Sequence, residues 1–283
     1  MNFVQFESAR DFQARAWPLL LEHEAENNLM LGVVGALARQ KPGTASAYSA
    51  PPLLGTVEQG DRVVAAVMMT PPHKLVLTRS PLVVECVVGR LRELGVDLPG
   101  VLGPKETADL FAVTWARASG LRAVSAKSMR IYQLDRVTPA PAVPGRMEEA
   151  TPADLSLVVA WVEQFNAAVH EQARNVEGVM RNRIAQREIF LWKAPPPVAM
   201  AGFAGPTPNG IRVSHVYTPP EHRRKGYATA LVAALSQRLL DSGRKFCFLF
   251  TDLANPTSNS IYQKIGYRPV RDFQAYDFAR GEA

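Results

Sequence analysis

The sequence predicts a mixed α/β protein made of two halves, each with a central, mostly antiparallel sheet flanked by helices. Three observations favour this class. Strand-like and helix-like apolar patterns alternate along the chain, their order in the first half is partly repeated in the second, and a proline-rich stretch separates the halves. With 283 residues, of which 47% are apolar, the chain is long enough for two domains with packed cores.

Apolar spacing predicts six elements in the first half. Alternating or continuous apolar runs indicate strands, and apolar residues repeated every three or four positions indicate helices. The predicted strands are residues 62–69, 74–78, 100–102 and 122–134, and the predicted helices are residues 82–94 and 106–119.

Residues 135–146 form the clearest boundary in the chain. They read DRVTPAPAVPGR, and their prolines lack backbone N–H donors, which disfavours helices and central strands. We therefore expect a first domain at residues 1–137, a linker at residues 138–145 and a second domain at residues 146–283.

The second half starts with a strand and a well-marked helix. Thr151 is a candidate N-cap, Pro152 suits the first helical position, and the acid Asp154 follows three residues after the cap. The predicted strands are residues 146–151, 188–194, 198–203, 211–217 and 245–251, and the predicted helices begin at Thr151 and cover residues 175–186, 226–242 and 256–265. Two short strand segments are expected to close the chain.

Composition excludes several broad classes. The net charge is +6, but basic and acidic residues are mixed in both halves, so no basic arm for nucleic acid is predicted. No uncharged apolar run reaches the 18 or so residues of a membrane span, and the amino terminus lacks the pattern of a signal peptide. Cys86 and Cys247 lie in separate apolar segments and are expected to be buried free thiols, so we expect a cytoplasmic protein.

Residues 213–232 (VSHVYTPPEHRRKGYATALV) combine a strand, a turn and a helix, which predicts an anion site. A helix N-terminus has unpaired N–H groups and partial positive charge, and both stabilise an anion. Gly226 allows a phosphate to approach the backbone closely, and the cations at residues 223–225 and the Thr229 hydroxyl add further donors. The segment therefore predicts a cradle for a pyrophosphate.

This segment resembles the acetyl-CoA motif of the GNAT superfamily of N-acetyltransferases, Gln/Arg-x-x-Gly-x-Gly/Ala, which here is RRKGYA at residues 223–228. Residues 255–267 (NPTSNSIYQKIGY) resemble the later segment of that family, with an Asn closing the fifth strand, a short helix, a Tyr and a Gly-aromatic pair. The resemblance covers residues 146–278. The first half shares only an order of elements, and after its second strand it has RSPLVVEC without a glycine turn, so it would be a degenerate GNAT-like domain that lacks the cofactor motif.

The resemblance implies a tandem GNAT-like fold, whose C-terminal domain has splayed fourth and fifth strands that hold acetyl-CoA as co-substrate. Backbone groups on the fourth strand would pair with the pantetheine arm, and the turn and helix would hold the pyrophosphate. The implied cofactor-binding residues are Val216, Tyr217, Thr218, Arg223, Arg224, Lys225, Gly226, Tyr227, Ala228, Thr229, Asn255 and Ser258.

The implied reaction is direct attack of a primary amine on the thioester, with Tyr262 donating a proton to the departing thiolate. Many members of the family carry a Glu on the fourth strand as a base, but residues 211–217 contain no acid. His215, or Glu171 acting through a water, are two hypotheses for the base. An ordinary structural role also stays open for each, and for Tyr262.

The acceptor is expected to be a small-molecule or peptide amine. The protein is expected to be a monomer or a homodimer, and we expect it to bind no nucleic acid, membrane or metal. The histidines have no partners at metal-ligand spacing. An alternative is a catalytically lapsed acyl-CoA-binding protein with a regulatory or scaffolding role, which the missing acid favours. Nucleic-acid binding is a third, weaker hypothesis that rests on the net charge alone.

Overall fold

The computed structural model of the chain describes residues 1–40, 48–169 and 175–280. Contacts between Cα atoms divide the chain into two compact units. The first unit comprises Met1–Ile131, Thr251–Asn255 and Pro269–Ala283, and the second comprises Tyr132–Phe250 and Pro256–Arg268. None of the described helices has both the length and the apolar character needed to span a membrane.

The first ten elements are, in order, β1 (Asn2–Phe6), α1 (Ala9–Glu22), α2 (Asn28–Arg39), β2 (Leu53–Gln59), β3 (Arg62–Met69), β4 (Leu75–Leu77), α3 (Val84–Glu93), β5 (Gly100–Pro104), α4 (Lys105–Ser119) and β6 (Arg122–Leu134). The next ten are β7 (Arg146–Glu149), α5 (Leu155–Ala168), α6 (Val176–Ala185), β8 (Ile189–Lys193), β9 (Pro197–Ala204), β10 (Gly210–Tyr217), α7 (Tyr227–Asp241), β11 (Phe246–Asp252), α8 (Pro256–Ile265) and β12 (Arg268–Ala279). Both series run strand, two helices, three strands, helix, strand, helix, strand. The prediction of two related α/β halves is therefore confirmed.

The sheet of the first unit has the strand order β1-β2-β3-β4-β5-β12-β6. Strands β4 and β5 are parallel, with Leu75 opposite Val101 and Val76 opposite Leu102. The pairs β1–β2, β2–β3, β3–β4 and β5–β12 are antiparallel. The parallel pair places the carboxyl ends of β4 and β5 at the same edge of this sheet.

Helices cover both faces of that sheet because its strands carry apolar residues on both sides. Phe111 of α4 and Leu91 of α3 belong to a buried cluster that also contains Val67 and Leu75 of the sheet. Helices α1 and α2 form a second cluster with the sheet, in which Phe12 is fully buried. Burial of such side chains supplies the main favourable free energy of folding.

The sheet of the second unit has the order β11-β10-β9-β8-β7. Its strands are antiparallel except for β10 and β11, which are parallel. One buried cluster joins the sheet to α7, with Leu231 and Leu235 fully buried, and a second joins it to α5 and α6, with Val158 fully buried. The second unit thus also has a helix layer on each face.

Helix α5 starts where the sequence predicts it. Asp154 accepts hydrogen bonds from the Thr151 N–H and from the Thr151 hydroxyl, each at 2.8 Å. The first turn is a 3₁₀ turn at Pro152–Asp154, which leads directly into α5. An acid three residues after the cap satisfies a backbone donor that the helix itself cannot pair.

The structure differs from the sequence prediction at both ends of the chain. No elements were predicted before residue 62, where β1, α1, α2 and β2 lie. Two closing strand segments were predicted, whereas β12 is one continuous strand whose residues from Pro269 onward belong to the first unit. Strand β12 lies beside β5 there, with Phe273 opposite Pro104. The domain limits at residues 137 and 146 stay a prediction.

Candidate functional site

The parallel strands β10 and β11 pair over a short distance only. Their register runs from Gly210 opposite Phe246 to Arg212 opposite Phe248, while β10 continues to Tyr217. Within the described residues, no pairing between these strands follows the Arg212 pair. Backbone groups of the second half of β10 therefore face a gap, which is the position where an extended ligand can pair as an additional strand.

A bulge lies in that same half of β10. Ser214 is opposite Gly202 of β9 and Tyr217 is opposite Met200, so two residues of β10 face one residue of β9. His215 has a φ of +52°, in the left-handed region. The extra residue allows Val216 to pack against the core beneath α7, while the His215 ring faces Phe165 of α5, with 5.9 Å between the ring centroids.

Gly226 is the N-cap of α7 and has a φ of +84°, and Arg224 two residues earlier has a φ of +61°. The N–H groups in the first turn of any helix have no intrahelical partner, and here no side chain caps them, so they are available at the N-terminus. The cations at residues 223–225 are exposed around them. A Cβ atom at Gly226 would lie 3.0 Å from Val143 Cγ1, so both the φ angle and the space favour glycine. This arrangement suits an anion.

Thr218 connects the gap to this loop. Its carbonyl oxygen accepts a hydrogen bond of 3.0 Å from Arg223 Nε. Its hydroxyl oxygen is enclosed and has no hydrogen-bond partner among the described residues. Enclosed hydroxyl groups without a partner are uncommon because their desolvation is not compensated. Thr218 therefore has an unpaired, enclosed hydroxyl in the segment that joins the gap to the loop.

Tyr262 lies on α8 and is 7% exposed. Its ring packs against Tyr132 and Tyr267, with centroid distances of 6.5 and 6.0 Å. Burial raises the pKa of Tyr262 to about 12, so its hydroxyl remains protonated at neutral pH. Chemically, the group can donate a hydrogen bond or a proton but does not act as a base.

His215 is held by Arg183, a residue of α6 that is 8% exposed. Arg183 Nη1 lies 2.8 Å from His215 Nδ1, and the same guanidinium donates to Glu188 Oε2 at 3.1 Å and to the Phe203 carbonyl at 2.6 Å. Because arginine only donates hydrogen bonds, Nδ1 is the acceptor and the neutral ring carries its hydrogen on Nε2. Burial, followed by the charges of Arg183 and Arg212, lowers the pKa of His215 to about 3.

Most of the site residues expected from the sequence belong to the second unit. They are those on β10, on the following loop, on α7 and on α8. Asn255 is exposed and belongs to the first unit, while Ser258 lies on α8. Glu171 lies outside the described residues. The sequence analysis missed Arg183, because nothing in the spacing of α6 distinguishes a buried arginine from an exposed one.

Comparison with known proteins supports this architecture. Residues 200–276 match the family model described as FR47-like protein. No curated protein matches the sequence. Similar solved structures include a Drosophila protein, with a TM-score of 0.68 and 11% identity over 99% of each chain. A GCN5-related N-acetyltransferase from Sphaerobacter thermophilus has a TM-score of 0.62 and 15% identity over 97% of this chain and 94% of that chain.

A third solved structure also matches over the whole chain. It is a tandem GNAT protein from the clavulanic acid biosynthesis pathway, with a TM-score of 0.58 and 18% identity, and the match covers 100% of this chain and 99% of that chain. At these identities the likeness concerns the fold. Residues 200–276 thus match the FR47-like family, and the chain as a whole has the tandem GNAT fold that the repeated order of its elements and the motifs of its second half predicted.

Proposed function

We propose that the protein is an acetyl-CoA-dependent N-acetyltransferase that acetylates a primary amine by direct attack on the thioester. The observation that carries the proposal is the short pairing of β10 and β11 next to the uncapped, Gly226-led N-terminus of α7. An open strand edge and an anion cradle in succession suit a ligand with an amide-bearing arm and a pyrophosphate.

The residues present fit acetyl-CoA. Val216 and Tyr217 lie in the part of β10 that has no pairing with β11, and Thr218 follows it; their backbone groups would pair with the pantetheine amides, and the Thr218 hydroxyl would gain a partner there. The cations Arg223, Arg224 and Lys225, together with the first-turn N–H groups of Tyr227, Ala228 and Thr229, would hold the pyrophosphate. Asn255 and Ser258 are proposed to contact the far side of the cofactor. When bound, acetyl-CoA supplies an activated acyl group.

Tyr262 is proposed to donate a hydrogen bond to the departing sulfur. A thiol has an ordinary pKa of about 8.5, about 3.5 units below the value of about 12 that burial gives Tyr262. Complete proton transfer from tyrosine to thiolate would therefore cost about 5 kcal/mol. Hydrogen-bond donation avoids that cost and still stabilises the negative charge that develops on sulfur.

The electrostatics favour a weakly basic acceptor amine. A lysine-like amine, with a pKa of about 10.4, is neutral in about one molecule in 2500 at pH 7, a deficit of about 4.6 kcal/mol, while an α-amine with a pKa near 8 lacks only about 1.4 kcal/mol. His215, with a pKa of about 3 and its Nδ1 occupied by Arg183, is a weak base. Glu171 acting through a water stays the alternative base. We propose an α-amine or a similarly weak base as the acceptor.

A lapsed acyl-CoA-binding protein is the second candidate, because β10 carries no carboxylate. Both candidates need the same cradle, so a measurement of acetyl-CoA binding alone does not distinguish them. A turnover assay does, since only the enzyme releases CoA thiol when an amine is added. We propose the cytoplasm as the location, since Cys86 and Cys247 are both free thiols.

The first test is calorimetric titration of acetyl-CoA and of CoA into the full chain. Micromolar binding of acetyl-CoA is the expected result, followed by thiol release with a panel of amines that spans pKa values from about 7 to about 10.5. Binding without thiol release for any amine would favour the lapsed protein. Absence of binding for both ligands would overturn both candidates.

A further inference from the structure

The first unit contains a cavity of about 500 Å³ that the proposed acetyl-transfer chemistry does not use. It lies where β4 and β5 end, since Arg79 follows β4 by two residues and Pro104 ends β5. In sheets with parallel strands, ligands bind at this carboxyl edge. The charged residues in its wall are Arg79, Lys105, Glu106, Arg130, Arg271 and Asp272. The volume is within the usual range for small-molecule sites, roughly 300–1,000 Å³.

Two of the four cations in the wall are neutralised by partners of their own. Arg130 forms a two-point ion pair with Asp272, with Nε–Oδ1 at 2.5 Å and Nη2–Oδ2 at 2.8 Å. Lys105 pairs with Asp109 at 2.5 Å, one turn further along α4. These pairs shape the wall but leave little net charge for a ligand.

The other two cations share one carboxylate. Glu26 is 7% exposed; its Oε1 accepts from Arg271 Nη2 at 3.2 Å, and its Oε2 lies 3.9 Å from Arg79 Nε. Arg79 Nη2 is also 3.0 Å from His23 Nε2. Two guanidinium groups share one buried carboxylate here, so Glu26 balances only part of their positive charge. A second anion beside them would balance the rest of that charge.

Arg271 also has one unpaired donor. Its Nε is enclosed and has no hydrogen-bond partner within the described residues. An enclosed donor without an acceptor is unfavourable because its desolvation is not compensated. The Arg271 side chain as a whole is 32% exposed, so an anion in the cavity can approach its guanidinium, and carboxylates and phosphates match the two-point donor geometry of arginine.

The N-terminus of α4 adds positive potential to the same cavity. The helix has 15 residues, begins at Lys105 on the cavity wall and has no side-chain cap, because Pro104 occupies the N-cap position. Its N-terminus contributes partial positive charge, partly offset by the exposed Glu106 in the first turn. The helix alone would not define a site; the cavity and the two arginines do.

We propose that this cavity binds a small molecule bearing a carboxylate or phosphate group, held by Arg79 and Arg271. The site is separate from the acetyl-CoA cradle, since all its residues belong to the first unit and none of them is assigned to acetyl-CoA. It does not depend on acetyl transfer. The first unit would thus recognise a ligand of its own, although it has no glycine-led cradle.

The experiment uses the full chain carrying Gly226→Asp, which removes the proposed anion cradle of the second unit. Inorganic phosphate and succinate are titrated separately by calorimetry at low ionic strength, so that the two anion chemistries are compared directly. Saturable binding of one of them with one site per chain is expected. Arg271→Gln and Arg79→Gln should each weaken it at least tenfold, while Arg117→Gln, the same change at an exposed position of α4, should not.

Two results would overturn the proposal. One is absence of saturable binding for both anions in chains that are folded by circular dichroism. The other is binding that persists unchanged in Arg79→Gln, a variant at a partly exposed side chain that is expected to fold even if Arg271→Gln does not. Loss of acetyl-CoA binding in Gly226→Asp bears only on the second unit, so the two proposals fail independently.

Discussion

Arg183 Nη1 lies 2.8 Å from Nδ1 of His215, and this contact joins α6 to the bulge of β10. It fixes the neutral ring with its hydrogen on Nε2, so the ring presents a donor rather than a base. A histidine on the strand beside the gap suggests general base chemistry from sequence alone. The buried guanidinium reverses that interpretation.

Replacing His215 should change how stability depends on pH. Folded His215, with a pKa of about 3, stays neutral, whereas the unfolded residue takes up a proton below about 6.5. The contribution of His215 to the free energy of unfolding is therefore fully present above pH 6.5 and is lost as the pH falls towards 3. Relative to His215→Asn, the parent should lose up to about 1.4 kcal/mol per pH unit between pH 6 and 4.

Urea unfolding at several pH values measures this difference. Asn is the chosen replacement because it tolerates positive φ and can accept a hydrogen bond from Arg183. Above pH 7 the two proteins should differ by a constant amount. Parallel stability curves down to pH 4 would show that His215 titrates normally in the folded chain.

Gly226→Asp should weaken acetyl-CoA binding by at least 100-fold. The new side chain puts a negative charge at the proposed pyrophosphate site, and its Cβ would lie 3.0 Å from Val143 Cγ1. Gly243→Asp is the matched control, since Gly243 also has positive φ (+95°) but lies after α7 with open space around it. Calorimetry should give an unchanged Kd for the control. Equal loss in both variants would point to general destabilisation.

Tyr262→Phe should lower kcat by about 100-fold, at the lower end of the range for loss of one donor that stabilises developing negative charge, with little change in the Kd of acetyl-CoA. The hydroxyl acts on charge that develops only during the reaction, so binding is spared. Tyr267→Phe is the control, because its hydroxyl is hydrogen-bonded to buried Ser236 at 2.8 Å. That variant should keep kcat but lose about 1–3 kcal/mol of stability. An unchanged kcat in Tyr262→Phe would leave the tyrosine a packing role only.

Thr218→Val should raise stability and lower cofactor affinity. Its enclosed hydroxyl has no partner in the described part of the chain, so its removal should raise the free energy of unfolding by about 1 kcal/mol. If pantetheine supplies the missing partner, acetyl-CoA should bind about tenfold more weakly. Thermal unfolding with and without acetyl-CoA measures both effects. Lower stability of the free variant would contradict the assignment.

Local sequence patterns were sufficient to predict much of the structure of the second half. The Thr151 cap, the amphipathic α7 and the span of α8 at Pro256–Ile265 all depend on residues close in sequence, and the structure has them as predicted or within a residue or two. The cradle likewise depends on a strand, a glycine turn and a helix that are contiguous. Such features are encoded locally, so spacing alone reveals them.

Features that join distant residues could not be predicted this way. The bulge at His215 interrupts alternation by one residue, and Arg183 reaches His215 from 32 positions away. Helix α2 carries apolar residues on most of its surface, so its period is hard to recognise, and α1 contains Pro18. In the first unit, Glu26 forms ion pairs with both Arg79 and Arg271, which lie in distant parts of the sequence.

Strand β12 has a consequence for the order in which the chain folds. It is hydrogen-bonded beside β5 in the first unit, yet the ribosome makes it after all 137 residues from 132 to 268 have been synthesised. Until then β5 lacks a neighbour on that side, and its exposed edge can pair with other chains. Truncation after Arg268 should therefore speed amide exchange in β5. Although it comes first in the sequence, the first unit is the last to be completed during synthesis.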